Sequence, residues 1–288
     1  MSPTIFQLVV AARERFVRAG IPPDQAAIDA EVLARHVLDW DRATYLMRRD
    51  EPASPDDRAR YEALVERRVH REPVAYLTGS REFWGRDFVV SPAVLVPRPE
   101  TEVLVEAVLT RLGDRARAWR IADVGTGSGC LAVTLAAELP ASRVIATDIS
   151  APALETARVN AVRHGVADRL LLVRTSLLSG VAGPFDAVVA NLPYIPRPFA
   201  GTLSPDVRDH EPHVALFGEG DDGLDTIREL LRQAPSRLSP DGLLFLEFGF
   251  GQGDAMRAEL ARTPLRLIDV LRDLQGHERT LVAAAVSA

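Results

Sequence analysis

Apolar residues near the amino terminus recur at helical spacing, about every three or four positions. One such face runs from Ile5 to Phe16 and ends shortly before Gly20. A second helical pattern begins near Asp24, and Ser54-Pro55 combines an N-cap residue with a proline suited to the first turn of a further helix. The pattern predicts a small helical bundle over residues 1–73.

The sequence pattern changes between residues 74 and 99, where Phe, Trp, Val and Gly are frequent and the helical spacing of apolar residues ends. Phe88-Val89-Val90 and Val94-Leu95-Val96 are short apolar runs bounded by turn residues. We therefore predict two extended segments here, which form a hairpin-like connector to the rest of the chain.

Strand and helix patterns alternate over residues 100–288, which is typical of an α/β domain with a doubly wound, mostly parallel sheet. The last two apolar runs flank Asp273–His277, and this arrangement favours an antiparallel hairpin at one edge of the sheet. The seven predicted strands lie near residues 119–124, 143–148, 170–174, 185–191, 243–248, 265–271 and 279–285.

Composition limits the class of protein. A chain of 288 residues with 47% hydrophobic content can fill the core of one large and one small domain. Its longest stretch without a charged residue, Val124 to Ala137, is shorter than the roughly 18 residues that a membrane span needs. The start, Met1 to Thr4, lacks the basic and apolar regions of a signal peptide. We therefore expect a cytoplasmic protein with no membrane partner.

Residue usage excludes several chemistries. The chain has no lysine, so Schiff-base catalysis and a Walker phosphate loop are excluded. One cysteine, Cys130, and six histidines without ligand spacing predict neither a disulfide nor a metal site. The net charge of −6 argues against non-specific binding to nucleic acid.

A glycine-rich turn follows the strand predicted at 119–124. Gly125, Gly127 and Gly129 precede a helix that begins near Cys130, and their G-x-G-x-G spacing differs from the dinucleotide fingerprint. Asp148 ends the next predicted strand, roughly 20 residues further on, where a carboxylate can accept both ribose hydroxyls. Together these features predict a ligand of the adenosine type.

Two acids near this turn have alternative structural roles. Asp148 could cap the helix that starts near Ala151, although Ser150 is better placed to do so. Asp123 could either contact the ligand directly or be a structural acid near the turn that satisfies backbone amides.

Asn191-Leu192-Pro193-Tyr194 ends the strand predicted at 185–191 and suits the methylation of a planar nitrogen. The Asn191 side-chain oxygen and the Leu192 carbonyl can accept the two N–H bonds of such a group and orient its lone pair. Pro193 stiffens the turn, and Tyr194 can stack on a flat acceptor. The alternative is an ordinary turn after a strand.

Taken together, the glycine turn, Asp148 and Asn191–Tyr194 resemble class I S-adenosylmethionine-dependent methyltransferases that act on exocyclic or amide nitrogens. Further segments narrow the resemblance to the PrmC/HemK family of peptide chain release factor N5-glutamine methyltransferases, over nearly the whole chain. These segments are Tyr76-Leu77-Thr78-Gly79, Glu82-Phe83-Trp84-Gly85, Val94-Leu95-Val96-Pro97-Arg98-Pro99-Glu100-Thr101-Glu102, Glu211-Pro212, Ala215-Leu216, Asp222-Gly223-Leu224, Leu246-Glu247-Phe248-Gly249 and Gln252-Gly253.

The resemblance implies methyl transfer from S-adenosyl-L-methionine to the glutamine of the Gly-Gly-Gln motif in class 1 release factors. It assigns the glutamine, and catalysis, to Asn191, Leu192, Pro193 and Tyr194. The residues that it assigns to the cofactor are Arg98, Thr101, Glu102, Gly125, Thr126, Gly127, Ser128, Gly129, Asp148, Ser176 and Asn191. The chain departs from the family pattern at Leu192, where the family usually has proline, and at Thr175-Ser176, where an acidic residue is often found near the adenine.

Two other functions fit part of the pattern. Asn-x-Pro-Tyr also suits an adenine-N6 methyltransferase, but such an enzyme needs a basic face or a target-recognition domain. Residues 1–72 carry 12 arginines against 13 acids, and the remainder 22 against 27, so neither part is basic. A non-catalytic binding module would have no need of Asn191, Pro193 and Tyr194. We expect the helical residues 1–73 to recognise the protein substrate.

Overall fold

The computed structural model describes residues 2–285, so Met1 and the last three residues of the predicted 100–288 domain lie outside the described residues. The chain divides into two compact units, Met1–Ser80 with Ser204–His210 and Arg81–Leu203 with Glu211–Ala288. The domain boundaries placed at residues 73 and 99 stay predictions. No helix in the described part of the chain is long and apolar enough to cross a membrane.

A helical stretch comes first along the chain, and strands and helices are interspersed after it. The α-helices are α1 (Ile5–Arg18), α2 (Pro23–Leu38), α3 (Arg42–Arg48), α4 (Pro55–Val69), α5 (Val74–Thr78), α6 (Glu102–Leu112), α7 (Cys130–Glu138), α8 (Ala151–Arg163), α9 (Pro205–His210), α10 (His213–Leu216), α11 (Asp225–Gln233) and α12 (Gly253–Leu260). The strands are β1 (Ser80–Phe83), β2 (Arg86–Val89), β3 (Arg120–Val124), β4 (Arg143–Asp148), β5 (Leu170–Arg174), β6 (Phe185–Asn191), β7 (Leu238–Glu247), β8 (Leu265–Arg272) and β9 (Glu278–Ala285).

The helices of the first unit pack their apolar faces into one core, which confirms the predicted bundle. Phe16 and Leu33 are fully buried in it, and burial of a side chain of this size contributes about 1.5–3 kcal/mol. Helix α1 begins with a capping box formed by Thr4 and Gln7. Helix α4 has Ser54 as its N-cap and a proline in its first turn, as predicted.

A short stretch from the second half of the chain belongs to the same unit. Asp206 in α9 accepts hydrogen bonds from Arg68 at 3.0 Å and from Arg71 at 2.5 Å. Arg68 also pairs with Asp29 at 2.8 Å, and both of these side chains are buried. No local pattern could predict the Arg68–Asp206 contact, because the partners lie 138 positions apart.

The connector contains a hairpin, but its strands are β1 and β2. The turn between them, Trp84-Gly85, has positive φ at both residues, a geometry that matches the twist of a two-stranded hairpin. The prediction of an extended run at 94–96 is wrong. The Val96 N–H donates to the Glu211 carboxylate at 3.1 Å instead of joining a strand ladder.

A seven-stranded sheet with the order β5-β4-β3-β6-β7-β9-β8 forms the centre of the second unit. Strands β3 to β7 pair in parallel, and β9 runs antiparallel to both β7 and β8. The predicted α/β fold, with a mostly parallel sheet and an antiparallel edge hairpin, is therefore confirmed. Strand β7 begins at Leu238, before the predicted 243–248. The prediction missed its first half because Ser239-Pro240-Asp241 interrupts the apolar pattern.

The central strands are covered on both faces. In β6, Ala187 and Val189 join one buried cluster, whereas Val188 and Ala190 join another, so alternate side chains enter cores on opposite faces. The strand order turns back between β3 and β6, since β4 and β5 extend to one side and β7 to the other. This switch point places a crevice beyond the carboxyl ends of β3 and β6.

Candidate active site

The glycine turn after β3 is shaped by two close approaches. Gly125, Gly127 and Gly129 all have positive φ, at 74°, 54° and 80°. A Cβ at Gly129 would lie 3.1 Å from the Ala157 Cα, and one at Gly125 would lie 2.9 Å from the Leu192 side chain. All three glycines suit the positive φ of the turn, and at Gly129 the Ala157 backbone also leaves little room for a side chain.

Asp123, in the strand before the turn, holds the turn and the start of α7 by hydrogen bonds. Its fully buried carboxyl accepts from the Thr126 hydroxyl at 2.6 Å and from the Ala132 N–H at 3.2 Å. Burial raises the pKa of Asp123 to about 7, although the hydrogen bonds from these two groups act to lower it. The structural role considered for Asp123 matches these contacts.

Asp148 joins the end of β4 to the glycine turn. One of its oxygens accepts from the Gly127 N–H at 2.9 Å and the other from the Ser150 N–H at 2.8 Å. The side chain that caps α8 belongs to Ser150, whose oxygen accepts from the Ala153 N–H. The alternative role of Asp148 as the N-cap of this helix is therefore wrong.

Asn191 ends β6 with its side-chain nitrogen already engaged, since Nδ2 donates to the Thr101 hydroxyl at 3.0 Å. The next residue, Leu192, is buried and packs its side chain against Gly125. The two predicted motifs are therefore in contact at the switch point.

Tyr194 lies beneath the turn that Asn191 begins. Its backbone oxygen accepts from the Gln252 Nε2 at 3.0 Å, while the Gln252 oxygen accepts from the Gly249 N–H. Gly223 also approaches this turn, because a Cβ there would lie 2.6 Å from the Tyr194 oxygen. Burial raises the pKa of Tyr194 to about 12, so the phenol is neutral near neutral pH.

A cavity of about 430 Å³ opens beside these motifs, bounded by the ends of β3, β4 and β6. Most of the predicted site residues line it: Arg98, Thr101, Gly125, Thr126, Gly127, Ser128, Asp148, Ser176, Asn191, Leu192 and Pro193. Of the described residues, no group of three or more His, Cys, Asp or Glu is arranged to hold a metal ion.

Three predicted site residues are not among those that line the cavity: Glu102, Gly129 and Tyr194. Glu102 accepts from the Trp84 N–H at 2.8 Å, so its carboxylate supports the hairpin turn. Gly129 is the N-cap residue of α7, pressed against α8. Tyr194 packs against one of the two apolar cores of the sheet.

Arg98 reaches the cavity while paired with Glu211 at 2.6 Å. Glu211 is buried and also accepts the Val96 N–H. Glu211 therefore holds both the backbone at Val96 and the guanidinium group of Arg98 in place.

Sequence reasoning missed the acidic part of the cavity wall, formed by Glu219, Asp225 and Glu229. These residues lie in and before α11, where acids on a helix surface carry no distinguishing signal. Glu247 was also given no role, although an acid at the end of an apolar strand next to Asn191 is a signal that could have found it.

The sheet order, with a glycine turn after its central strand and an acid ending the adjacent one, defines a class I S-adenosylmethionine-dependent methyltransferase. Solved structures of this kind share the fold. A ribosomal protein L11 methylase from Lactobacillus delbrueckii aligns with a TM-score of 0.50 at 26% identity, over 66% of this chain and 81% of its own. The catalytic domain of human Mettl16 in complex with an RNA hairpin aligns with a TM-score of 0.58 at 18% identity, over 76% and 82%.

Sequence comparison narrows the class. The PrmC N-terminal domain family matches residues 7–79, and the ribosomal protein L11 methyltransferase (PrmA) family matches residues 100–196. The release factor glutamine methyltransferase of Cereibacter sphaeroides is 43% identical over 96% of this chain and 97% of its own length. That of Moorella thermoacetica is 44% identical over 97% and 98%. This chain belongs to the release factor glutamine methyltransferase family.

Proposed function

We propose that this protein transfers a methyl group from S-adenosylmethionine to the side-chain nitrogen, N5, of the glutamine in the Gly-Gly-Gln motif of class 1 peptide chain release factors. One observation carries the proposal. The Asn191 nitrogen is held by Thr101, which leaves the Asn191 oxygen as the amide atom available to a ligand in the cavity. The full-length relatives support the same reaction.

The chemistry requires orientation of the acceptor more than acid–base catalysis. A carboxamide nitrogen is a weak nucleophile because its lone pair is delocalised into the carbonyl group. The Asn191 oxygen and the Leu192 carbonyl supply two acceptors, which hold both N–H bonds of the glutamine and direct its nitrogen toward the cofactor. Bound S-adenosylmethionine supplies the electrophilic methyl group, so that one C–N bond forms, one C–S bond breaks and one proton is released.

The residues at the cavity fit this cofactor. Asp148 is placed to accept ribose hydroxyls, and the glycine turn lets the backbone approach a ligand closely. Arg98, Thr101 and Ser176 complete the wall that we assign to the cofactor. Glu102 is left out of this assignment because its carboxylate bonds to the hairpin turn.

Leu192 keeps the backbone carbonyl that the reaction needs. Its buried side chain packs on Gly125, where it joins the Asn191–Tyr194 turn to the glycine turn. We infer that this packing replaces the rigidity that a proline would give.

The partner is a protein, and a glutamine side chain alone is too small to distinguish one protein from another. We assign substrate selection to the helical unit, which contains none of the cavity residues. Release factors work in the cytoplasm, and we place this enzyme there. No observation in the structure favours the adenine-N6 alternative.

The proposal is tested by incubating the protein with isotope-labelled S-adenosylmethionine and a purified class 1 release factor. The matched control is the same release factor with the motif glutamine replaced by alanine. Label should enter only the glutamine form. Equal label on both forms, or label on DNA or RNA but on neither form, would show that the acceptor is a different group.

A further inference from the structure

Glu247 occupies the end of β7, directly beside the end of β6. The parallel register pairs Asn191 with Glu247, and the antiparallel register pairs Glu247 with Thr280 of β9. The side chain is only 1% exposed and does not line the cavity. Glu247 is therefore next to the substrate-binding asparagine but out of reach of a ligand in the cavity.

The surroundings of Glu247 combine apolar burial with a few polar groups. Burial raises the pKa of Glu247 to about 7, while the Thr101 hydroxyl, the Arg279 charge and the Asn191 amide act in the opposite direction and Glu100 reinforces the shift. One carboxylate oxygen has no hydrogen-bond partner among the described residues. A buried acid with an unpaired oxygen destabilises the folded protein, and such groups are often found at functional sites.

Thr101 provides the connection to the reaction. Its oxygen accepts from the Asn191 Nδ2 at 3.0 Å, and its own proton can be donated to the Glu247 carboxylate. An ionised carboxylate only accepts hydrogen bonds, so the chain of donors runs from Asn191 through Thr101 to Glu247. This direction keeps the nitrogen of the Asn191 amide toward Thr101 and its oxygen toward the cavity.

We propose that Glu247 is a positioning residue that, through Thr101, fixes the orientation of the Asn191 amide for the methyl acceptor. This inference rests on the proposed glutamine methylation. Without the carboxylate, Thr101 and the Asn191 amide lose the acceptor that they share, and the amide can adopt either of its two flipped orientations. A flipped Asn191 would present a donor to the glutamine N–H and repel it.

A pH dependence follows from the same arrangement. When Glu247 is protonated, it can donate a hydrogen bond to Thr101. The hydrogen bonds between Asn191, Thr101 and Glu247 then no longer have a single donor-to-acceptor direction. The turnover rate should therefore be full above about pH 7 and fall as the pH drops through about 7. The groups that face Glu247 are Arg279 and Thr280 of β9, Glu100 and Thr101 before α6, Cys130 at the start of α7, Asn191 at the end of β6 and Tyr194 in the turn after it.

Three variants separate positioning from structure. Glu247→Gln keeps the shape but removes both the titration and the acceptor-only carboxylate, so its kcat should lie below that of the parent at pH 8 and should show no acidic limb near pH 7. Thr101→Val removes the hydroxyl that links Asn191 to Glu247 by hydrogen bonds. It should lower kcat by on the order of 10- to 100-fold, the scale of one hydrogen bond linked to a charged group. Thr280→Val is the matched control, because it deletes a buried hydroxyl on the other side of Glu247 that has no partner among the described residues. It should leave kcat and the pH profile unchanged.

Folding and cofactor binding are measured on the same proteins. A buried acid with a raised pKa makes the native state less stable as the pH rises from about 4.5 to about 7. Glu247→Gln should therefore melt no lower than the parent at pH 8, with unchanged S-adenosylmethionine affinity by calorimetry. A parental acidic limb in Glu247→Gln, or an equal loss of kcat in Thr101→Val and Thr280→Val, would overturn the proposal.

The orientation can also be followed without turnover. In 15N-labelled protein the side-chain amide signals of Asn191, assigned by their absence in Asn191→Ala, should shift as the pH crosses about 7 in the parent and stay fixed in Glu247→Gln. Signals that titrate equally in both would contradict the role of Glu247. An inactive parent in which these signals behave as expected would instead refute the glutamine methylation alone.

Discussion

At the scale of single residues, Asp148 has two functions to reconcile. Its oxygens already accept from the Gly127 and Ser150 N–H groups, but each oxygen has a second lone pair, so ribose hydroxyls can bind without displacing either amide. We therefore propose that the same carboxylate that shapes the glycine turn also binds the cofactor.

Asp148→Ala should weaken S-adenosylmethionine binding by about 1.5–3 kcal/mol, as expected for loss of hydrogen bonds to a charged group. Calorimetric titration measures the change. Asp148→Asn, which keeps one acceptor oxygen, should lie between this variant and the parent. Unchanged affinity in a folded Asp148→Ala protein would limit Asp148 to supporting the turn.

At the scale of elements, the Asn191–Tyr194 turn is held from outside the sheet. The glycine-rich loop before α11 brings Gly223 against the Tyr194 oxygen, and Gln252 before α12 binds that same oxygen. The Asn191–Tyr194 turn is thus held by close backbone packing at Gly223 and by a side-chain hydrogen bond from Gln252.

Gly223→Ala should lower kcat by on the order of 10- to 100-fold, because a displacement of about 1 Å at a reacting group has effects of this size. The added Cβ would lie 2.6 Å from the Tyr194 oxygen. Gly251→Ala is the control, since Gly251 also has a positive φ but has no atom within 4 Å of the added Cβ. Equal kcat losses in the two variants would assign the effect to backbone strain alone.

Apolar periodicity was sufficient to predict β4, β5 and β6 at their observed bounds. Periodicity failed where tertiary contacts decide. Strand β1 was missed because Ser80-Arg81-Glu82 is polar, and the run at 94–96 is not a strand because Val96 bonds to Glu211. The site motifs could be recognised because they are contiguous in sequence, whereas Glu229, which lines the cavity, and Glu247, which pairs with Asn191, come from separate elements.

At the scale of the whole molecule, the two units are each made from segments that are distant in sequence. Helix α9 belongs to the first unit although it follows the Asn191–Tyr194 turn in the chain. Its attachment there rests on Arg68, which pairs with both Asp29 and Asp206.

Arg68→Ala should destabilise the first unit by about 3–5 kcal/mol, the loss expected when one partner of a buried ion pair is removed. Urea denaturation followed by circular dichroism measures it. Arg18→Ala removes an exposed arginine from the same unit, with a side chain 74% exposed, and should change stability by less than about 0.5 kcal/mol. Similar stability changes in both variants would contradict a structural role for the buried pair.

The central claim is that the Asn191 turn presents a release factor glutamine to the cofactor. Tandem mass spectrometry of the release factor, after reaction with the parent protein and with Asn191→Ala, tests it most directly. We expect the methyl group on N5 of the Gly-Gly-Gln glutamine, formed 10²- to 10³-fold more slowly by the variant, roughly the loss seen when one preorganised partner is removed, with unchanged affinity for S-adenosylmethionine. A methyl group on any other residue, or a parental rate from Asn191→Ala, would contradict the account.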